Sequence, residues 1–143
     1  MKRAFLGLAA VMLTATAAFA ADQNFDFRLS PGPRLVGTRA ESSGAGRLHA
    51  DLKGTVLTLS GDYHGLLAAP ATAQLMMGPL PGVRGPKLAD LTITPAVNGT
   101  ISGKVTLNKP AMAAFAKGGL YVEITSQPAP DGDLWGWVMP PSE

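Results

Sequence analysis

Between Gly46 and Tyr63 the chain alternates apolar and polar residues at a period of two. Leu48, Ala50 and Leu52 interleave with Arg47, His49 and Asp51, and Leu57, Leu59 and Gly61 with Thr58, Ser60 and Asp62. Successive side chains on a strand point to opposite faces, so this pattern fits a half-exposed antiparallel hairpin and not a helix. Lys53-Gly54 supplies the turn. A two-residue loop there sets Leu52 against Thr55, Ala50 against Leu57 and Leu48 against Leu59, so that one face is apolar throughout.

The same punctuation recurs along the chain and predicts strands at Phe25–Leu29, Thr72–Met77, Leu88–Thr94, Thr100–Leu107, Leu120–Thr125 and Leu134–Val138. Asp131-Gly132 marks the last hairpin. At Asn98-Gly99 a strict two-residue loop would oppose Ile93 to Lys104, so a bulge or longer loop near Pro95 is expected. Asn108 to Lys117 is the one helical segment, with Pro110 in its first turn, Met112, Phe115 and Ala116 at helical spacing, and Gly118-Gly119 as its stop. About seven short strands and one small helix predict an all-β fold: an antiparallel, immunoglobulin-like Greek-key sandwich or barrel. A length of 143 residues, 46% of them hydrophobic, fits one such domain and excludes a disordered chain.

Lys2 and Arg3, the apolar run Phe5–Leu13 and the small residues of Ala18-Phe19-Ala20 read as a cleavable export signal over residues 1–20, leaving one domain over 21–143. The rival, a membrane anchor, is weakened by the Thr- and Ala-rich second half of the uncharged stretch. Cleavage removes two basic residues and cancels the net charge of +2. No basic surplus is left to attract nucleic acid or anionic lipid, so neither nucleic-acid binding nor stable membrane insertion is expected. With no Cys, the chain has no disulfide and no acylatable thiol. The expected location is the periplasm or the extracellular medium.

From Gly44 to Val138 a series of short segments follows in order: Ser60-Gly61-Asp62-Tyr63-His64-Gly65-Leu66, Pro70-Ala71-Thr72-Ala73, Gly82-Val83-Arg84-Gly85-Pro86, Gly99-Thr100-Ile101-Ser102-Gly103, Gly119-Leu120-Tyr121-Val122 and Pro130-Asp131-Gly132-Asp133-Leu134-Trp135-Gly136. Together they resemble the CHRD domain, named from chordin. The resemblance implies an exported immunoglobulin-like barrel, distantly similar to superoxide dismutases, with no settled activity. It also implies departures. The family's His-x-His pair corresponds to Gln74 and Met76, a further His to Thr125, and the Arg of a closing Arg-Gly pair to Trp135. A potentially metal- or anion-binding cluster is thus replaced, and no cofactor is expected.

Residue chemistry agrees. A zinc or copper site needs three or four converging ligands, and the mature chain has only His49 and His64. In the hairpin register above, His49 faces Thr58, far from His64. Met76 and Met77 point to opposite faces and read as packing residues. Arg84 and Lys87 form a weak anion-binding candidate, because Pro79, Pro81 and Pro86 remove backbone donors that a phosphate nest requires. Gly44-Ala45-Gly46 lacks the third glycine and the helix of a dinucleotide site, and no G-x-S-x-G elbow is present.

The remaining feature is Trp135-Gly136-Trp137. On a strand the two indoles share one face while Leu134 and Val138 take the other, which the apolar pattern assigns to the core. Two outward indoles, with Tyr121 and Met76 nearby, would form a binding patch for a glycan, another small molecule or a protein. The blander alternative is a second small core in which Met76, Tyr121 or a Pro-rich loop covers them, the commoner outcome on monomers. The functional expectation is a noncatalytic exported binding module. The alternatives are a small envelope enzyme or metal-binding protein, and a structural envelope protein.

Overall fold

The computed structural model describes residues 22–32 and 42–140. The export signal expected over residues 1–20 lies outside them. Along the chain run β1 (Gln23–Pro31), β2 (Ala45–Lys53), β3 (Val56–His64), β4 (Pro70–Met77), β5 (Lys87–Asp90), β6 (Thr92–Ile93), β7 (Gly99–Thr106), α1 (Lys109–Ala116), β8 (Leu120–Ser126) and β9 (Leu134–Trp137). All pairings are antiparallel and join one sheet in the order β5-β4-β8-β9-β1-β2-β3-β7-β6.

The two ends of that order are neighbours in sequence. Leu91 alone separates β5 from β6, and its N–H donates to Ala73 O on β4 at 2.8 Å. The sheet therefore curls into a nearly closed barrel, which leaves few unpaired strand edges. Strand β8 returns beside β4 after β5, β6 and β7 have been laid down, giving a Greek key. This is the all-β fold that the alternation predicts.

Period-two patterning fills the barrel. Phe25, Phe27 and Leu29 of β1 meet Leu48, Ala50 and Leu52 of β2, with Leu57 and Leu59 of β3, Leu75 of β4, Leu120, Val122 and Ile124 of β8, and Leu134 and Val138 at β9, all buried. Helix α1 plugs one end. Asn108 caps it by accepting from Ala111 N at 3.0 Å, and Phe115 packs on Phe25 with ring centroids 6.1 Å apart. Its inward residues are Ala111 and Phe115; Ala116, expected on the apolar side, is exposed.

Two turns differ from expectation. The β2–β3 pairs are Lys53↔Val56, Leu52↔Leu57, Ala50↔Leu59 and Leu48↔Gly61, so the loop is Gly54-Thr55 and not Lys53-Gly54. Gly54 has φ +61° and Thr55 an ordinary negative φ, the type II′ arrangement with glycine first. The shift of two keeps every side chain on its expected face, but it moves His49 from Thr58 to Ser60. The last hairpin is no tight turn either. Ile124 pairs with Leu134, and Asp131-Gly132 sits inside the long loop between them. The loop near Pro95 is long as expected, with Ile93 opposite Ile101.

Candidate functional site

Strand parity separates two layers on β4, β8 and β9. Ala73, Leu75, Val122, Ile124, Leu134 and Val138 point into the barrel. The intervening residues point out, and the ladder aligns them in rows. Gln74 faces Glu123, which faces Trp135; Met76 faces Tyr121, which faces Trp137. The aromatic candidates thus come together on the outer face. Tyr121 lies 5.8 Å from Trp135 and 4.6 Å from Trp137 between ring centroids, and the two indoles are 6.2 Å apart, all tilted. Each such pair contributes about 0.5–1.5 kcal/mol beyond its buried area.

Burial separates the two indoles. Tyr121 is fully buried and Trp135 is 8% exposed, while Trp137 and Met76 are half-buried. One loop and the residue after β1 provide the cover. Gly32 abuts the Trp135 indole so closely that a Cβ there would overlap its Nε1. The Gly78–Pro86 loop brings Gly85, whose N–H donates to Tyr121 Oη at 3.0 Å and whose carbonyl accepts from it at 3.3 Å. It also brings Arg84, whose guanidinium carbon stands 4.7 Å from the Trp135 ring centroid. The covered alternative fits Trp135 and Tyr121; Trp137 and Met76 remain partly open.

Arg84 also ties the aromatic and cationic candidates into one site. Its Nη2 donates to Asp131 O, and its Nη1 lies 3.4 Å from Glu123 Oε2. Glu123 is 6% exposed, and its Oε2 has no hydrogen-bond partner among the described residues. Burial pushes the Glu123 carboxyl above its ordinary range; Arg84 pulls the other way, and Asp131 adds to the rise. Lys87 opens β5 opposite Met76 of β4, and its Nζ is 3.2 Å from Asp90 Oδ2. Lys87, then Gln74, hold the Asp90 carboxyl below the usual range. Arg84 and Lys87 each have a carboxylate partner of their own, Glu123 and Asp90.

Gln74, Met76, Thr125 and Trp135 all lie on this outer face. Thr125 Oγ1 is 2.5 Å from Thr72 Oγ1. The two histidines lie elsewhere. His49 on β2 pairs with Asp26 at 2.8 Å, and His64 ends β3. Among the described residues no three His, Cys, Asp or Glu side chains form a metal-holding group. No helix among them is long and apolar enough to cross a membrane.

Glu123 escaped the sequence reading, although the alternation of Leu120–Thr125 already sets it on the same face as Tyr121. Its partner Arg84 is 39 positions away on a loop, and no periodicity links them. Comparison of the chain with protein-family models, curated proteins and solved structures found no match.

Proposed function

We propose that this chain is an exported, noncatalytic binding or interaction module of the CHRD type, with the outer face of β4, β8 and β9 as its ligand face. One observation carries the reading: both tryptophans of the chain and the buried Tyr121 are gathered outside the barrel core, around a buried carboxyl group. A barrel of this size already fills its interior with aliphatic residues, phenylalanines and Tyr63. Aromatic area held on the outside, with Trp137 and Met76 half open, suits stacking against a ligand.

Trp137→Ala is the test. It removes the more open indole and leaves Gly32 packed on Trp135, so the fold should survive by far-UV circular dichroism while ligand-induced changes in Trp135 emission disappear. A variant that unfolds, or one that responds to ligand as the parent does, contradicts the reading. A structural role in the envelope is favoured by a different feature, the exposed Leu80, Val83 and Met139. Large assemblies of the mature protein in gel filtration support that role; a monomer speaks against it.

A further inference from the structure

The aromatic face holds a cation already, and that cation belongs to the chain itself. Arg84 lies over the Trp135 ring at 4.7 Å, within the range where a guanidinium is attracted to an indole face. It approaches the buried Glu123 at 3.4 Å and donates to the carbonyl of Asp131. An indole face, a carboxylate and a carbonyl acceptor are together the groups that recognise a planar guanidinium. Yet Arg84 satisfies them incompletely. Its side chain is 51% exposed, and Glu123 Oε2, buried to more than nine-tenths, gains an ion pair but no hydrogen bond from it.

The loop that carries Arg84 is fixed independently of that side chain. Met77 N donates to Pro86 O at 2.9 Å, Gly78 N to Gly119 O at 2.8 Å, Val83 N to Leu80 O at 3.1 Å, and Gly85 is joined to Tyr121 Oη. Arg84 can therefore swing into solvent by side-chain rotation while the loop stays in place. What it leaves behind is an aromatic pocket with a buried carboxyl group that has lost its counter-charge.

We propose that this face is a guanidinium-recognition site which Arg84 fills in cis, and that the ligand is an arginine side chain presented by a peptide or protein, displacing Arg84 as it binds. The inference rests on the ligand-face reading above and adds the chemical class. Binding then carries a competition term: the site is available only in the fraction of molecules whose Arg84 has left, and the apparent affinity falls by that fraction.

The test uses N-acetyl-arginine amide and tri-arginine as probes, with methyl glucoside as a neutral one, followed through the two indole N–H signals and Trp emission of the mature protein. Arg84→Ala should bind the arginine probes saturably and about ten- to thirtyfold more tightly than the parent, since a half-exposed ion pair and a cation–π contact no longer compete. Adding Glu123→Gln should abolish that gain while circular dichroism stays unchanged. Equal affinity in parent and Arg84→Ala, or no saturable change in either, overturns the inference. If the arginine probes are ignored and the glucoside shifts the Trp137 indole, the guanidinium assignment falls and the ligand-face reading stands. If no probe moves either indole, both fall.

Discussion

Gly136→Ala tests how the aromatic face is built. Gly136 separates the two indoles and points toward the barrel, where β9 meets β1. A Cβ added there would stand 2.3 Å from Arg28 O and 2.8 Å from Leu29 Cδ2. Carbon and oxygen normally keep roughly 3.2 Å apart in packed interiors, so β9 would have to withdraw from β1 by about 1 Å. The Leu29 side chain can turn away, but the Arg28 carbonyl is backbone and cannot. Only Ser30↔Trp135 and Pro31↔Leu134 pair across this seam, so few ladder bonds resist the separation. Overpacking of this kind costs about 1–3 kcal/mol, against a gain of about 0.4–1 kcal/mol from the stiffer unfolded chain. Thermal unfolding followed by circular dichroism should show Tm lowered by roughly 2–10 °C. The emission of Trp135 and Trp137 should shift to the red as the seam opens. An unchanged or raised Tm would refute the argument that this glycine is required by close approach of the two strands.

Three other perturbations probe the buried polar groups and the cover over the indoles. Because the Glu123 carboxyl is raised above its ordinary range, the folded state holds its proton more firmly than the unfolded state does. Its contribution to stability is complete below the unfolded pKa and is lost as pH rises through the folded one. Relative to Glu123→Gln, the parent should therefore lose stability as pH climbs out of the carboxylate range; a relative gain would mean that the attraction of Arg84 outweighs burial. Asp133 is fully buried, accepting from Ser126 Oγ at 2.7 Å and Ser43 N at 3.1 Å. Asp133→Ala should cost about 2–3 kcal/mol in denaturant unfolding, because it strands both donors, and a cost below 1 kcal/mol would contradict that accounting. Iodide should quench the emission of Trp135→Phe, which retains Trp137, more strongly than that of Trp137→Phe; the reverse order would contradict the burial of Trp135.

Much of the fold was legible because its signal is local. Alternation placed most strands and set Leu48 to Leu59, Leu134 and Val138 on the core face, since every second side chain of a half-buried strand must meet the core, but the run Leu88–Thr94, read as one strand, is divided at Leu91 into β5 and β6. Registers were less legible. Lys53-Gly54 and Gly54-Thr55 satisfy the same alternation, and only the ladder, which pairs Lys53 with Val56, distinguishes them. The aromatic site was half legible for the same reason: Trp135 and Trp137 share a face by parity, but their cover comes from Gly32, Arg84 and Gly85, whose approach depends on the closure of the barrel. Arg84 read as half of an anion site because its carboxylate partner lies on a strand far along the chain. Long-range pairing of this kind leaves no periodic trace.

The central claim, that the outer face of β4, β8 and β9 receives the ligand, is tested most directly by a fragment screen read by two-dimensional NMR. The chain has two tryptophans and hence two indole N–H signals, both from this face. The account predicts that binding fragments perturb the Trp137 indole first, together with the amides of Met76 and Gly85. Hits that leave both indoles unmoved and gather instead in the apolar groove lined by Met77, Pro79, Pro86, Pro110, Ala113 and Lys117 would contradict it.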